Sequence, residues 1–144
     1  MTTIVYCPTA LTLVTDSMAT SEENGKSYGV TKAWRIGDYV FAAAGDVEDI
    51  HAVLEWLRAG RPDPKPKPKD EFSGLWIKRS NGTYQCFYKK LHMVPGRYAT
   101  AIGIGAQFAL GALDAGATPL QAVEIACNRD EKSGGRLRTI KFPC

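Results

Sequence analysis

Residues 48–60, EDIHAVLEWLRAG, place Ile50, Val53, Leu54 and Leu57 at helical spacing. Glu48 and Asp49 sit where the helix dipole favours anions, and Gly60 sits where a helix stops. An apolar stripe of this kind has to be laid on another apolar surface. Both flanks can supply one, because both read as β-hairpins. AWRIGDYVFAAAG, ahead of the helix, turns at Gly37 and Asp38, and GLWIKRSNGTYQCFYK, behind it, turns at Asn81-Gly82. A helix held between two hairpins constrains the chain to layers of sheet and helix.

The rest of the sequence extends the pattern. Thr2, Thr3, Ile4, Val5 and Tyr6 are β-branched or aromatic and favour an opening strand. Pro8 and Thr9 turn the chain into a second strand over ALTLVTDSMAT. RPDPKPKPKDEF alternates proline with lysine and can be neither helix nor central strand. It reads as an exposed, semi-rigid connection, and less readily as a docking sequence for an aromatic groove or an acidic partner. RYATAIGIG is a further strand, and AQFALGALDAG a helix whose Ala and Gly residues permit close approach. Thr118, Pro119 and Gln121 form a capping-box pattern that opens LQAVEIACNRD, and GGRLRTIKF returns to a strand. The expected order is β-β-β-β-α-β-β-β-α-α-β. It is an α+β chain in which two antiparallel sheets lie between helical layers, in one domain over residues 1–144.

Composition narrows the partners. With 144 residues, 44% hydrophobic and 23% charged, the chain can bury a substantial core, and a net charge of +3 spread among 15 acids gives little reason to expect nucleic acid. No apolar run is long enough for a membrane, and the first residues lack the pattern of a signal peptide. Cys7, Cys86, Cys127 and Cys144 are far apart in sequence and form no Cys-x-x-Cys pair. Neither a zinc site nor a disulfide framework is expected, and the default setting is cytoplasmic. His51 and His92 lack ligand spacing, and Gly103-x-Gly105 is too short for a dinucleotide fingerprint, so it reads as close packing at a helix start. No metal or cofactor is expected.

The polar residues stand in a telling order. TTIV at the start, TDSMAT with Asp16, Lys32 in VTKAWRI, AAAGD before a helix, IGIGAQFA and NRDEKSGG together resemble proteasome β subunits and the bacterial heat-shock-locus V peptidase. These are N-terminal nucleophile hydrolases of αββα fold, and the resemblance runs through nearly the whole chain. Taken singly, Thr2 is a good strand residue and Asp16 with Lys32 an ordinary surface pair. Their joint order sets them apart. Against the family pattern, RPDPKPKPKDEF replaces a second long helix, and Ile104 stands where the family carries a serine near the nucleophile.

The resemblance implies a peptidase acting on peptides or unfolded proteins with Thr2 as nucleophile. A threonine hydroxyl is a weak nucleophile and needs a base. The α-amine of the same residue, with an ordinary pKa near ~8, can serve once Met1 is excised, which a small following residue permits without a propeptide. Lys32 would lower the pKa values of that amine and hydroxyl, and Asp16 would hold the lysine charged and oriented. Asp130 and Ser133 match family residues that brace the amine. Gly134 fits a close backbone approach beside them, Ala42 matches an oxyanion donor in the AAAGD turn, and Thr20 lines the strand that pairs with an extended substrate. The family also implies a homo-oligomeric ring and an ATP-dependent unfoldase partner. Two alternatives stay open: a catalytically silent relative kept for assembly, and an amidohydrolase of small amides.

Overall fold

The computed structural model describes residues 2–20, 26–131 and 133–144. Its strands are β1 (Ile4–Cys7), β2 (Thr12–Thr15), β3 (Met18–Thr20), β4 (Ser27–Gly29), β5 (Ala33–Ile36), β6 (Tyr39–Ala44), β7 (Ser73–Lys78), β8 (Tyr84–Phe87), β9 (Val94–Gly96), β10 (Thr100–Ile102) and β11 (Arg138–Lys141). The helices are α1 (Val47–Arg58), α2 (Ala106–Asp114) and α3 (Pro119–Arg129). Antiparallel pairing gives a four-stranded sheet ordered β10-β1-β2-β11, a five-stranded sheet ordered β5-β6-β7-β8-β9, and the ribbon β3-β4.

Three apolar seams hold four layers together. Side chains alternate across a strand, so each sheet has two faces to cover. Ile4, Tyr6 and Leu13 of one sheet meet Val40, Ala42, Leu75 and Ile77 of the other. Phe41, Ala43 and Phe87, on the far face of the five-stranded sheet, take Val53, Leu54 and Leu57 of α1. Val5 and Val14, on the far face of the four-stranded sheet, take Ala109, Ala122, Val123 and Ala126 of α2 and α3. The architecture is the αββα sandwich expected from the sequence.

Local signals explain most boundaries. Asp46 caps α1 by accepting from the Glu48 amide, and Thr118 and Gln121 form the reciprocal capping box of α3. The single strand expected over ALTLVTDSMAT is instead β2 and β3, which belong to different sheets. It breaks at Asp16, whose buried carboxylate gathers donors from three segments. The expected order also lacks β4 and β9, each three residues long; Pro95 lies in β9, where an edge position tolerates it.

Among the described residues no helix lies between α1 and β7. The Pro/Lys run takes that place as a strap. The indole Nε1 of Trp56, near the end of α1, donates to Pro62 O at 2.9 Å. Lys69 returns to the start of the helix, where its amide donates to Asp49 and its ammonium lies 2.9 Å from Asp46. A proline-rich run rises about 3.1 Å per residue against about 1.5 Å for a helix, so roughly six extended residues match the length of α1 and the run from Pro62 to Lys69 is long enough to retrace it.

Candidate active site

Residues 2–3, the Asp16–Ser17 break, Lys32 before β5, and Asp130, Ser133 and Gly134 after α3 meet at one end of the four-stranded sheet. Thr2 is 5% exposed, Asp16 fully buried and Lys32 4% exposed. Burying a carboxylate is costly unless its oxygens are paired. Asp16 Oδ1 accepts from the Lys32 ammonium at 2.6 Å and from the Thr3 amide at 3.1 Å, and Oδ2 accepts from the Gly134 amide at 3.0 Å. The Asp16 amide in turn donates to Thr3 O at 3.1 Å, closing a reciprocal bracket around Thr3.

The charge pair has a defined electrostatic character. Burial pushes the Lys32 ammonium below the ordinary lysine range, and the charge and hydrogen bond of Asp16 pull against it. A buried pair of this kind does little for stability compared with apolar packing, so its presence points to chemistry. The neighbouring thiol is not a rival nucleophile. Burial, and next the charge of Asp16, push Cys127 up to about 11, so it stays protonated near neutrality.

A second chain of hydrogen bonds runs behind the first. Ser133 Oγ donates to Asp130 Oδ2 at 2.5 Å, and Ser133 and Thr3 share a hydroxyl contact at 2.8 Å. The Gly134 carbonyl accepts from Ser17 N–H at 3.0 Å, fastening this turn to the Asp16 segment.

Thr2 and Lys32 open onto a cavity of about 210 Å³ whose other walls are mostly apolar: Met18, Val30, Trp34, Val47 and Ile50, with His51 edge-on to the Trp34 ring. Gly45 lines the same cavity. Ala42 does not: it lies within β6, paired with Ala33 and Leu75 on either side and packed between the sheets. The strand of AAAGD runs on to Ala44, so the turn that meets the cavity begins two residues later than an oxyanion donor at Ala42 requires. Thr20 ends β3 opposite Ser27, and its side chain lies outside the described residues. Ile104 turns outward, 52% exposed, on the loop before α2.

Sequence reasoning missed Thr3 and the exact use of Gly103 and Gly105. Gly103, at φ +97°, lies so close that a Cβ would fall 1.9 Å from the Thr2 carbonyl oxygen; at Gly105 a Cβ would fall 2.0 Å from Thr3 Oγ1. The signal for Thr3 was present. It shares a strand face with Val5, which packs under α2 and α3, and a hydroxyl buried there needs a partner. Among the described residues no group of His, Cys, Asp or Glu is arranged to hold a metal ion, and no helix is long and apolar enough to cross a membrane.

Neither family models nor curated proteins give a match to this sequence. Solved structures do. The crystal structure of eukaryotic HslV from Trypanosoma brucei is 20% identical and superposes with a TM-score of 0.72 over 96% of this chain and 97% of that one. Thiobacillus denitrificans BPH is 15% identical, with a TM-score of 0.68 over 98% of this chain and 97% of its own. The same protein in complex with epoxomicin is 14% identical, with a TM-score of 0.68 over 97% and 98%. The chain therefore has the fold of HslV and BPH.

Proposed function

We propose that this chain is a threonine peptidase of the HslV and proteasome-like kind, with Thr2 as nucleophile once Met1 is removed. The observation that carries the reading is the fully buried Asp16 holding Lys32 at 2.6 Å, with Thr2 and Lys32 on the wall of one cavity. The Thr2 amine takes the proton of the Thr2 hydroxyl as the oxygen bonds to a substrate carbonyl carbon. The Lys32 charge favours the developing alkoxide. The tetrahedral intermediate collapses by breaking the C–N bond, the departing amine takes the proton from the Thr2 ammonium, and an ester remains on Thr2. Water then attacks the ester with the amine again as base, releasing the acid. Gly45, which lines the cavity while Ala42 does not, serves in this reading as the main-chain donor to the oxyanion.

The cavity suits an uncharged apolar side chain of the substrate, because among the described residues no carboxylate lines it and the Lys32 ammonium on its wall is paired with Asp16. A peptide or unfolded protein fits this reading better than a small amide, whose short side chains would leave the apolar walls wet. Ile104, Phe108, Leu120 and Ile125 expose apolar surface around α2 and α3, which supports a homo-oligomer, a ring in this reading. An ATP-dependent unfoldase would supply unfolded chains to it.

A second reading is favoured by Ile104, which offers no hydroxyl beside the nucleophile: a silent relative kept for assembly. Intact mass and covalent capture separate the two. Native protein lacking Met1 should take up one equivalent of epoxomicin per chain, and Thr2→Ala should take up none. Retention of Met1 in the native protein, or equal labelling of Thr2→Ala, would reject Thr2 as nucleophile.

A further inference from the structure

Ser133 has one hydroxyl proton, and it goes to the Asp130 carboxylate. In the 2.8 Å contact with Thr3, Ser133 must then be the acceptor, so the Thr3 hydroxyl is the donor. The chain runs Thr3 O–H to Ser133 O–H to Asp130, anchored at a charged end that polarises each bond. Thr3 is held on three further sides. Its amide donates to Asp16, its carbonyl accepts from the Asp16 amide, and Gly105 leaves its hydroxyl room that a Cβ would take at 2.0 Å. One peptide bond away, the Thr2 carbonyl accepts from Gly105 N–H at 3.5 Å.

Resting on the peptidase reading above, we infer that Thr3 is a positioning residue for the reaction: its hydroxyl, clamped by Ser133 and Gly105, fixes where Thr2 presents its amine and hydroxyl. A residue at a chain end has free rotation unless its neighbour is locked, and reacting groups misplaced by an ångström lose much of their rate. The amide bracket to Asp16 fixes the strand's direction. The hydroxyl fixes its rotation. The polar threonine therefore stands on a face where Val5 and Val14 serve packing alone.

The test uses the full-length native protein lacking Met1, a fluorogenic peptide amide with an apolar residue before the scissile bond, and three variants. Thr3→Val keeps the shape and removes the hydroxyl. Thr3→Ser restores the hydroxyl without the methyl. Gly105→Ala drives a methyl into the hydroxyl from the opposite side. Thr3→Val should lower kcat by about 10- to 100-fold with KM within about twofold, and Thr3→Ser should recover to within about threefold of wild type. Gly105→Ala should reproduce the Thr3→Val loss, and the double variant should be no worse than either single one, because both break the same clamp.

Full kcat in Thr3→Val, or equal loss in Thr3→Ser and Thr3→Val, overturns the inference while leaving the peptidase intact. A loss confined to KM does the same. If wild type neither cleaves the peptide nor takes up epoxomicin at Thr2, the peptidase reading fails first and the inference falls with it. Should Thr3→Val fail to fold, Gly105→Ala carries the decision on the same criteria.

Discussion

The two helical layers of this molecule are built from different materials. Over the five-stranded sheet, α1 packs against Phe41, Phe72, Trp76 and Phe87, a continuous wall of large rings closed outside by the Pro/Lys strap. Over the four-stranded sheet, α2 and α3 pack Ala109, Ala122, Val123 and Ala126 against Val5 and Val14. Large rings bury more apolar area, so the first layer contributes more to stability. Small residues let backbones approach, and the second layer brings the turn after α3 within hydrogen-bonding reach of Thr3 and Asp16. The bulk of the apolar packing and the polar network around Asp16 are thus weighted to different layers, with Val47, Ile50 and His51 of α1 reaching the cavity wall from the first.

The strongest challenge to that division is Lys32→Met. It leaves the Asp16 carboxylate buried without its cation, which should cost about 3–5 kcal/mol in denaturant unfolding. It should also slow epoxomicin uptake by at least ~100-fold, since the charge beside Thr2 is gone. A variant as stable and as reactive as wild type would remove the charge pair from the site.

On the other side, Phe87→Ala should cost about 3–5 kcal/mol by opening a cavity among Phe41, Phe72 and α1. Its uptake rate per folded molecule should stay at the wild-type level. A matched fall in reactivity would mean that the two layers are coupled through the sheets.

Titration sharpens the contrast further. The unfolded chain keeps the Lys32 proton to the ordinary value of 10.5, whereas the folded chain, where burial lowers it, gives the proton up sooner. Just below 10.5 the unfolded state therefore binds more protons, and stability attributable to Lys32 rises with pH through that window. Unfolding curves of wild type and Lys32→Met, compared at several alkaline pH values, should diverge in that sense; parallel curves would place Lys32 with the exposed lysines.

Smaller effects mark the edges of each layer. Trp56→Phe removes the indole bond to Pro62 and should cost about 1 kcal/mol with reactivity unchanged, the strap being packing only. Cys127→Ala, close to Asp16 but carrying a thiol that stays protonated, should leave epoxomicin uptake unaltered; a changed rate would give α3 a chemical role beyond placing its C-terminal turn.

Periodicity and turn chemistry act within a few residues, and they determined the helices, both hairpins beside α1 and the Thr118 cap, whereas Thr2, Asp16 and Lys32 stood out only through the resemblance and their order along the chain. The resemblance made Asp130, Ser133 and Gly134 legible for the same reason, as residue types in sequence order. What the sequence left undetermined lies in contacts between distant segments. Only the folded sandwich decided that the second strand breaks at Asp16, that Gly45 and not Ala42 meets the cavity, that a proline strap covers α1, and that Thr3 donates to Ser133. Each depends on a buried polar group finding its partner or on two backbones closing to van der Waals contact, and neither condition has a period that a linear chain can display.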